Sequence, residues 1–72
     1  MNYREFIEIQ SDKRFGSPCI KGTRVSVYDV LNWLASGMTK LEIIEDYPEL
    51  DEVKVNACLF YAADRSHYYA VA

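Results

Sequence analysis

The stretch Met38-Thr39-Lys40-Leu41-Glu42-Ile43-Ile44-Glu45-Asp46-Tyr47-Pro48-Glu49-Leu50-Asp51-Glu52-Val53-Lys54-Val55 decides the fold, because it carries two helix starts and one helix stop. Thr39 is a good N-cap, and Glu42 three residues on can return the bond as a capping box. Met38 and Ile43 then sit where a hydrophobic staple forms. The helix begun at Thr39 must end at Tyr47, since the residue before Pro48 is pushed out of helical geometry. Asp51 caps the next helix, with Leu50 and Val55 as a second staple, and that helix is predicted to run to about Tyr68.

On the N-terminal side, Val27, Val30, Leu31 and Leu34 recur at i, i+3, i+4 and i+7, which predicts a first helix with one buried stripe, ended by Gly37. Further upstream, Tyr3 to Ile9 favours a strand, Phe15-Gly16-Ser17-Pro18 reads as a turn, and Cys19-Ile20 and Thr23-Arg24-Val25 flank Lys21-Gly22 as a tight hairpin. The expected fold is mainly α: a three-helix, homeodomain-like (helix-turn-helix) bundle preceded by a short N-terminal β element. All 72 residues form one expected domain: a strand and hairpin region at 1–26, a three-helix unit at 27–68 and a tail at 69–72.

The third helix is the informative one. At 100° per residue, Val55, Cys58, Leu59 and Ala62 gather on one side, which is enough to meet the other two helices. Val53, Ala57 and Phe60 gather on the opposite side, with Tyr61 and Tyr68 beside them. A helix at the edge of a small domain needs one apolar stripe, so the second requires a cover: the N-terminal segment, a second copy or another protein.

Composition narrows the function. Half of the residues are hydrophobic and 26% charged, a globular balance. No apolar run approaches the roughly 18 residues of a membrane span, and no basic-then-apolar leader opens the chain. Two cysteines outside any paired motif predict reduced thiols and a cytoplasmic setting. The net charge is −3. Residues 1–37 hold five basic against four acidic side chains and residues 38–72 three against seven, so phosphate contact is more plausible at the front.

Little here supports catalysis. His67 stands alone among tyrosines, Cys19 and Cys58 match no zinc spacing, and no glycine loop or nucleophile elbow is present. The acidic run from Glu42 to Glu52 is explained by helix caps and a solvated face. The reading is therefore a non-enzyme with no cofactor and no metal. The second and third helices also have a helix-turn-helix outline, yet the first turn of the third contains Asp51 and Glu52, leaving Lys54 and Asn56 as its usable DNA contacts.

The run Pro18-Cys19-Ile20-Lys21-Gly22-Thr23-Arg24-Val25, with Leu34-Ala35, Gly37, Glu42-Ile43-Ile44, Tyr47-Pro48-Glu49-Leu50 and Tyr61-Ala62-Ala63, resembles the family labelled domain of unknown function 433, regarded as VapB-like antitoxins. The resemblance covers roughly residues 10–64. It departs from the family pattern at Ser17, where lysine is usual, at Ser26, where proline is frequent, and at Lys54, where an acidic residue is usual. It implies a homeodomain-like fold behind a short β element, and a PIN-like ribonuclease toxin as partner, which would itself hold the acidic residues and divalent metal. It further implies operator DNA as a second target, mainly for the toxin complex.

On this reading the toxin-binding residues are Val53, Ala57, Phe60, Tyr61, Asp64, Arg65, Tyr68 and Tyr69, with Arg65 approaching the acidic metal site of the ribonuclease. The alternative is a stand-alone helix-turn-helix regulator that touches DNA through Lys13, Arg14, Lys21, Arg24, Lys54 and Asn56. Arg24 is equally suited to a structural pairing with Asp29 or an acid of the second helix. Trp33 fits either a covered domain flank or an interface anchor. Self-association as a homodimer or a higher hetero-oligomer is expected, through the opening strand or the spare helix stripe.

Overall fold

The computed structural model describes residues 2–66, and of Ser66 the backbone alone. Helix caps written into the sequence set its frame. α1 spans Val27–Ala35 and opens with a capping box, in which Ser26 accepts from the backbone and Asp29 accepts from the Ser26 amide at 3.1 Å. α2 spans Lys40–Asp46 and opens with the predicted box: Thr39 N donates to Glu42 at 2.9 Å, and Glu42 N donates to Thr39 Oγ1 at 3.1 Å. α3 spans Glu52–Ser66, with Asp51 accepting from the Lys54 amide at 2.8 Å. The Ser26 box was legible in the sequence but hidden by reading Ser26 only as a missing proline.

The N-terminal region differs from the expected strand. Tyr3–Glu5 is a turn of 3-10 helix, capped by the Asn2 side chain, and only Ile7–Glu8 is extended as β1. β1 pairs antiparallel with β2, Cys19–Ile20, placing Ile7 opposite Ile20 and Glu8 opposite Cys19. The predicted tight turn after β2 is present: Thr23 N donates to the Ile20 carbonyl at 3.0 Å and Ile20 N to the Val25 carbonyl at 2.9 Å. Gly22 supplies the positive φ of 77° it needs.

One core joins all of these pieces: Tyr3, Ile20, Val25, Val27, Val30, Ile43, Leu50, Val55, Ala57, Cys58 and Tyr61, with Leu31, Trp33, Leu34 and Met38 packed around it. Trp33 is half-buried against the core, stacked on Tyr47 with ring centroids 4.2 Å apart. Cys58 is fully buried and burial pushes its thiol up to about 12, so it acts as a small hydrophobe. Three helices behind a two-stranded sheet match the expected class.

The face assignment of α3 needs correction. Ala57 and Tyr61, expected on the outward stripe, are core residues, and Leu59, expected inside, is exposed. The cause is the opening turn. It packs against α3 in addition to α1 and α2, and the buried residues of α3 are Val55, Ala57, Cys58 and Tyr61. Tyr3 meets Tyr61 edge to face at 5.8 Å, and its hydroxyl donates to Asp64 Oδ2. Tyr3 does what the expected strand would not have done, because a 3-10 turn directs its ring onto the helix.

Candidate partner-binding surface

Covering one flank of α3 leaves the other outside. Val53, Leu59 and Phe60 remain 45%, 37% and 48% exposed. With Asn56 and Ala63 they form one strip, because positions 53, 56, 60 and 63 alternate by three and four residues and so stay on one side of the helix. Asn56, Leu59, Phe60 and Ala63 line a groove of about 270 Å³. Their spacing, i, i+3, i+4 and i+7, is that of the four residues that form a hole for one side chain of a second helix. The surface is chemically simple: apolar and lined by a single amide.

Of the residues expected to hold a partner, Val53 and Phe60 lie on this strip. Ala57 and Tyr61 do not, being core. Asp64 accepts from Tyr3 and lies 3.8 Å from the Arg4 guanidinium, so it helps hold the opening turn in place. Arg65 leans over the Tyr61 ring, 5.4 Å from its centroid, and donates to the Tyr61 hydroxyl at 3.2 Å. Tyr68 and Tyr69 lie outside the described residues. Leu59 and Asn56 complete the strip; Leu59 was missed because a 100° wheel without neighbours gives no sign of how wide the buried arc is.

The cations expected to meet DNA are scattered and mostly engaged. Lys13 pairs with Glu8 at 3.6 Å. Lys54 Nζ donates to the Glu49 carbonyl at 3.0 Å, closing the turn between α2 and α3. Arg14 Nη1 donates to Asp29 Oδ2 at 2.9 Å and to the Arg24 carbonyl at 2.7 Å, while Nη2 donates to Asp29 Oδ1 at 3.3 Å. Thus Arg14, rather than Arg24, takes the pairing with Asp29. Burial pushes the Asp29 carboxyl up, but the bonds from Arg14 and Ser26 outweigh it and hold the group below its ordinary value. Lys21 and Arg24 stay exposed on the turn after β2, and Asn56 belongs to the α3 groove.

The Arg14 geometry depends on a turn that sequence reasoning placed correctly but described too simply. Arg14 and Phe15 take positive φ of 51° and 59°, followed by Gly16 at 80°. Left-handed backbone in two side-chain-bearing residues costs roughly 1–2 kcal/mol each. It swings Arg14 over the start of α1 and leaves Phe15 fully in solvent. Among the described residues no three His, Cys, Asp or Glu side chains converge as metal ligands, and no helix is long and apolar enough to cross a membrane.

A family profile described as "Protein of unknown function (DUF433)" matches residues 7–62. The chain belongs to the DUF433 family. An uncharacterized protein of Sinorhizobium fredii (strain NBRC 101917 / NGR234), y4eO, is 37% identical over 59 residues, which are 82% of this chain. The matched segment makes up 27% of that relative, so the chain corresponds to about a quarter of it. The crystal structure of a DUF433 member from Anabaena variabilis ATCC 29413 superposes with a TM-score of 0.82 at 22% identity, covering 93% of this chain and 70% of that one. The DUF433 fold is therefore shared with a solved member.

Proposed function

We propose that this chain is a binding module, the antitoxin of a type II toxin–antitoxin pair that holds and silences a PIN-like ribonuclease. The observation carrying this reading is the outward strip of α3, where Val53, Leu59 and Phe60 stand exposed on one helix face around an apolar groove. Large apolar side chains gathered on one face of a small domain are the anchors protein partners use. The resemblance of the Pro18–Val25 run and the Tyr47–Leu50 run to VapB-like antitoxins supplies the partner class. The first turn of α3 carries Glu52, and its one cation, Lys54, donates to the Glu49 carbonyl, which favours a protein over a phosphate backbone as the occupant.

The test is co-expression with the neighbouring reading frame. Phe60→Asp should release growth arrest by the ribonuclease while the circular dichroism spectrum stays native. Full neutralisation by that variant would overturn the assignment of the face.

A second reading, DNA contact, rests on Lys21 and Arg24, which share one exposed turn. It predicts binding to upstream DNA mainly by the toxin complex, with affinity falling steeply as salt rises. Lys21→Ala with Arg24→Ala should flatten that salt dependence, and an unchanged slope would exclude this turn as the contact. The chain operates without a cofactor on either reading.

A further inference from the structure

The turn before β2 is held in a costly backbone conformation and leaves its ring outside. Arg14, Phe15 and Gly16 take positive φ of 51°, 59° and 80° in succession, and the Phe15 ring is covered by no part of the described fold, so its burial offsets none of the strain. Strain of this kind persists where the surroundings over-determine it, and it gathers at sites that bind. Here the surroundings are explicit. Gly16 N donates to the Lys13 carbonyl and Ser17 N to the Arg14 carbonyl, both at 3.1 Å, and Val27 N donates to the Pro18 carbonyl at 2.8 Å. The Arg14 guanidinium fixes the other side through Asp29 and the Arg24 carbonyl. Phe15 is therefore displayed from a rigid base, with little ordering left to do on contact.

The chemistry beside the ring is cationic. The bond from Arg14 to the Arg24 carbonyl, 2.7 Å long, ties this turn to the one after β2, where Lys21 and Arg24 stand exposed and pair with no acid among the described residues. Of the three acids from Glu8 to Asp29, Glu8 is held by Lys13 at 3.6 Å and Asp29 by Arg14 at 2.9 Å, which leaves Asp12 against those two cations. An apolar pocket on a protein would take the ring but give the cations no counter-charge. A nucleic-acid strand offers both, a base face for the ring and phosphates for Lys21 and Arg24. A single strand fits better than a duplex, because its base faces are open, whereas a duplex must be unstacked at one step before a ring can enter.

We propose that Phe15 is a stacking residue for an unpaired base of single-stranded nucleic acid, with Lys21 and Arg24 on the flanking phosphates. This contact shares its two cations with the DNA reading above and goes beyond it in the ring and in the form of the strand. It does not involve α3, so the apolar strip stays available to a protein.

The experiment is fluorescence anisotropy of labelled oligothymidylate and oligouridylate, each about twelve nucleotides long, and of a blunt duplex of equal length, titrated with the full chain over a range of salt. Both single strands should bind with a Kd of order 10⁻⁵ M at low salt, and the duplex several-fold more weakly. Phe15→Leu, which keeps an apolar side chain without a π face, should weaken single-strand binding about tenfold, and Phe15→Trp should keep or tighten it. Phe15→Gly should weaken it as Phe15→Leu does while raising the thermal midpoint, so the loss is not one of folding. Lys21→Ala with Arg24→Ala should reduce the logarithmic salt slope by about 1.4, the share of two single-strand phosphates. Single-strand binding indifferent to Phe15→Leu and Phe15→Gly, or a duplex bound as tightly as the single strands, would overturn the proposal. So would loss of toxin co-purification by Phe15→Leu with strand binding unchanged, which would give the ring to a protein. No binding to either single strand overturns it as well and leaves standing the DNA reading, which is tested on the toxin complex and upstream duplex.

Discussion

The two flanks of α3 have nearly the same chemistry and opposite fates. On one flank Val55, Ala57, Cys58 and Tyr61 lie in the core; on the other Val53, Leu59 and Phe60 meet solvent. Both contain aliphatic and aromatic side chains at helical spacing, so hydrophobicity alone does not rank them. What separates them is the cover supplied from elsewhere in the chain: α1, α2 and the opening turn all pack against α3. Tyr3 reaches Tyr61 and Asp64, and nothing among the described residues does the same for Phe60. An apolar stripe becomes core when an element is available to cover it, and becomes an interface when none is.

The sharpest way to break this contrast is to truncate one aromatic on each flank. Tyr61→Ala should cost about 3 kcal/mol, since it empties core volume and removes the edge-to-face contact with Tyr3. In a domain of this size that is a large share of the total, so urea denaturation should show a markedly lower midpoint. Phe60→Ala should shift the same midpoint by less than about 0.5 kcal/mol. Equal losses would mean the two flanks are equally engaged.

A finer cut removes one atom from the cover. Tyr3→Phe keeps the ring on Tyr61 but deletes the hydroxyl that donates to Asp64, and should cost about 1 kcal/mol in the same assay. Relief of strain at the front turn should be similar in size and opposite in sign. Phe15→Gly replaces an exposed side chain at φ 59° with the residue suited to that backbone, and should raise the thermal midpoint by the equivalent of about 1 kcal/mol.

Alkaline titration distinguishes the flanks without a large perturbation. Tyr3 ionises above its ordinary value, chiefly because its hydroxyl is bonded to Asp64, and Tyr61 does so chiefly through burial. For a group whose folded pKa is raised, the stabilisation is fully present below the unfolded value of about 10 and is lost as pH rises through the folded value. Thermal stability should therefore fall above about pH 10, and Tyr3→Phe with Tyr61→Phe should flatten that fall. Phe60 has no such group, and Phe60→Ala should leave the profile unchanged. At the acid end the sign reverses: Glu42, held below its ordinary value by the Thr39 backbone and hydroxyl, contributes above the unfolded carboxyl value and ceases to as pH falls through the folded one.

Much of the scaffold was legible because its signals are local. Thr39 and Glu42 are three residues apart and need only each other, and the helix start they predict is present. Pro48 stops α2 through its own ring, and Gly22 turns the chain after β2 through its own φ. The opening segment was misread for the complementary reason. Tyr3-Arg4-Glu5 has strand-like residues, but its conformation is set by contacts with α3 some sixty residues away. The candidate surface inherited that error: Val53 and Phe60 were found, Ala57 and Tyr61 were misplaced, and Leu59 was overlooked. The pairing of Arg14 with Asp29 was hidden likewise, since it depends on two residues taking a backbone conformation that their side chains disfavour.

By itself the amino-acid sequence determined the number of helices, their caps and stops, and the surplus of apolar side chains on the last of them. These depend on interactions within a turn or two of backbone, where near neighbours settle the outcome. Only the tertiary structure decided which part of that surplus is hidden, because burial depends on what packs from across the chain. Here α1, α2 and the small turn around Tyr3 together seal one flank of α3, and Phe60 is left facing outward.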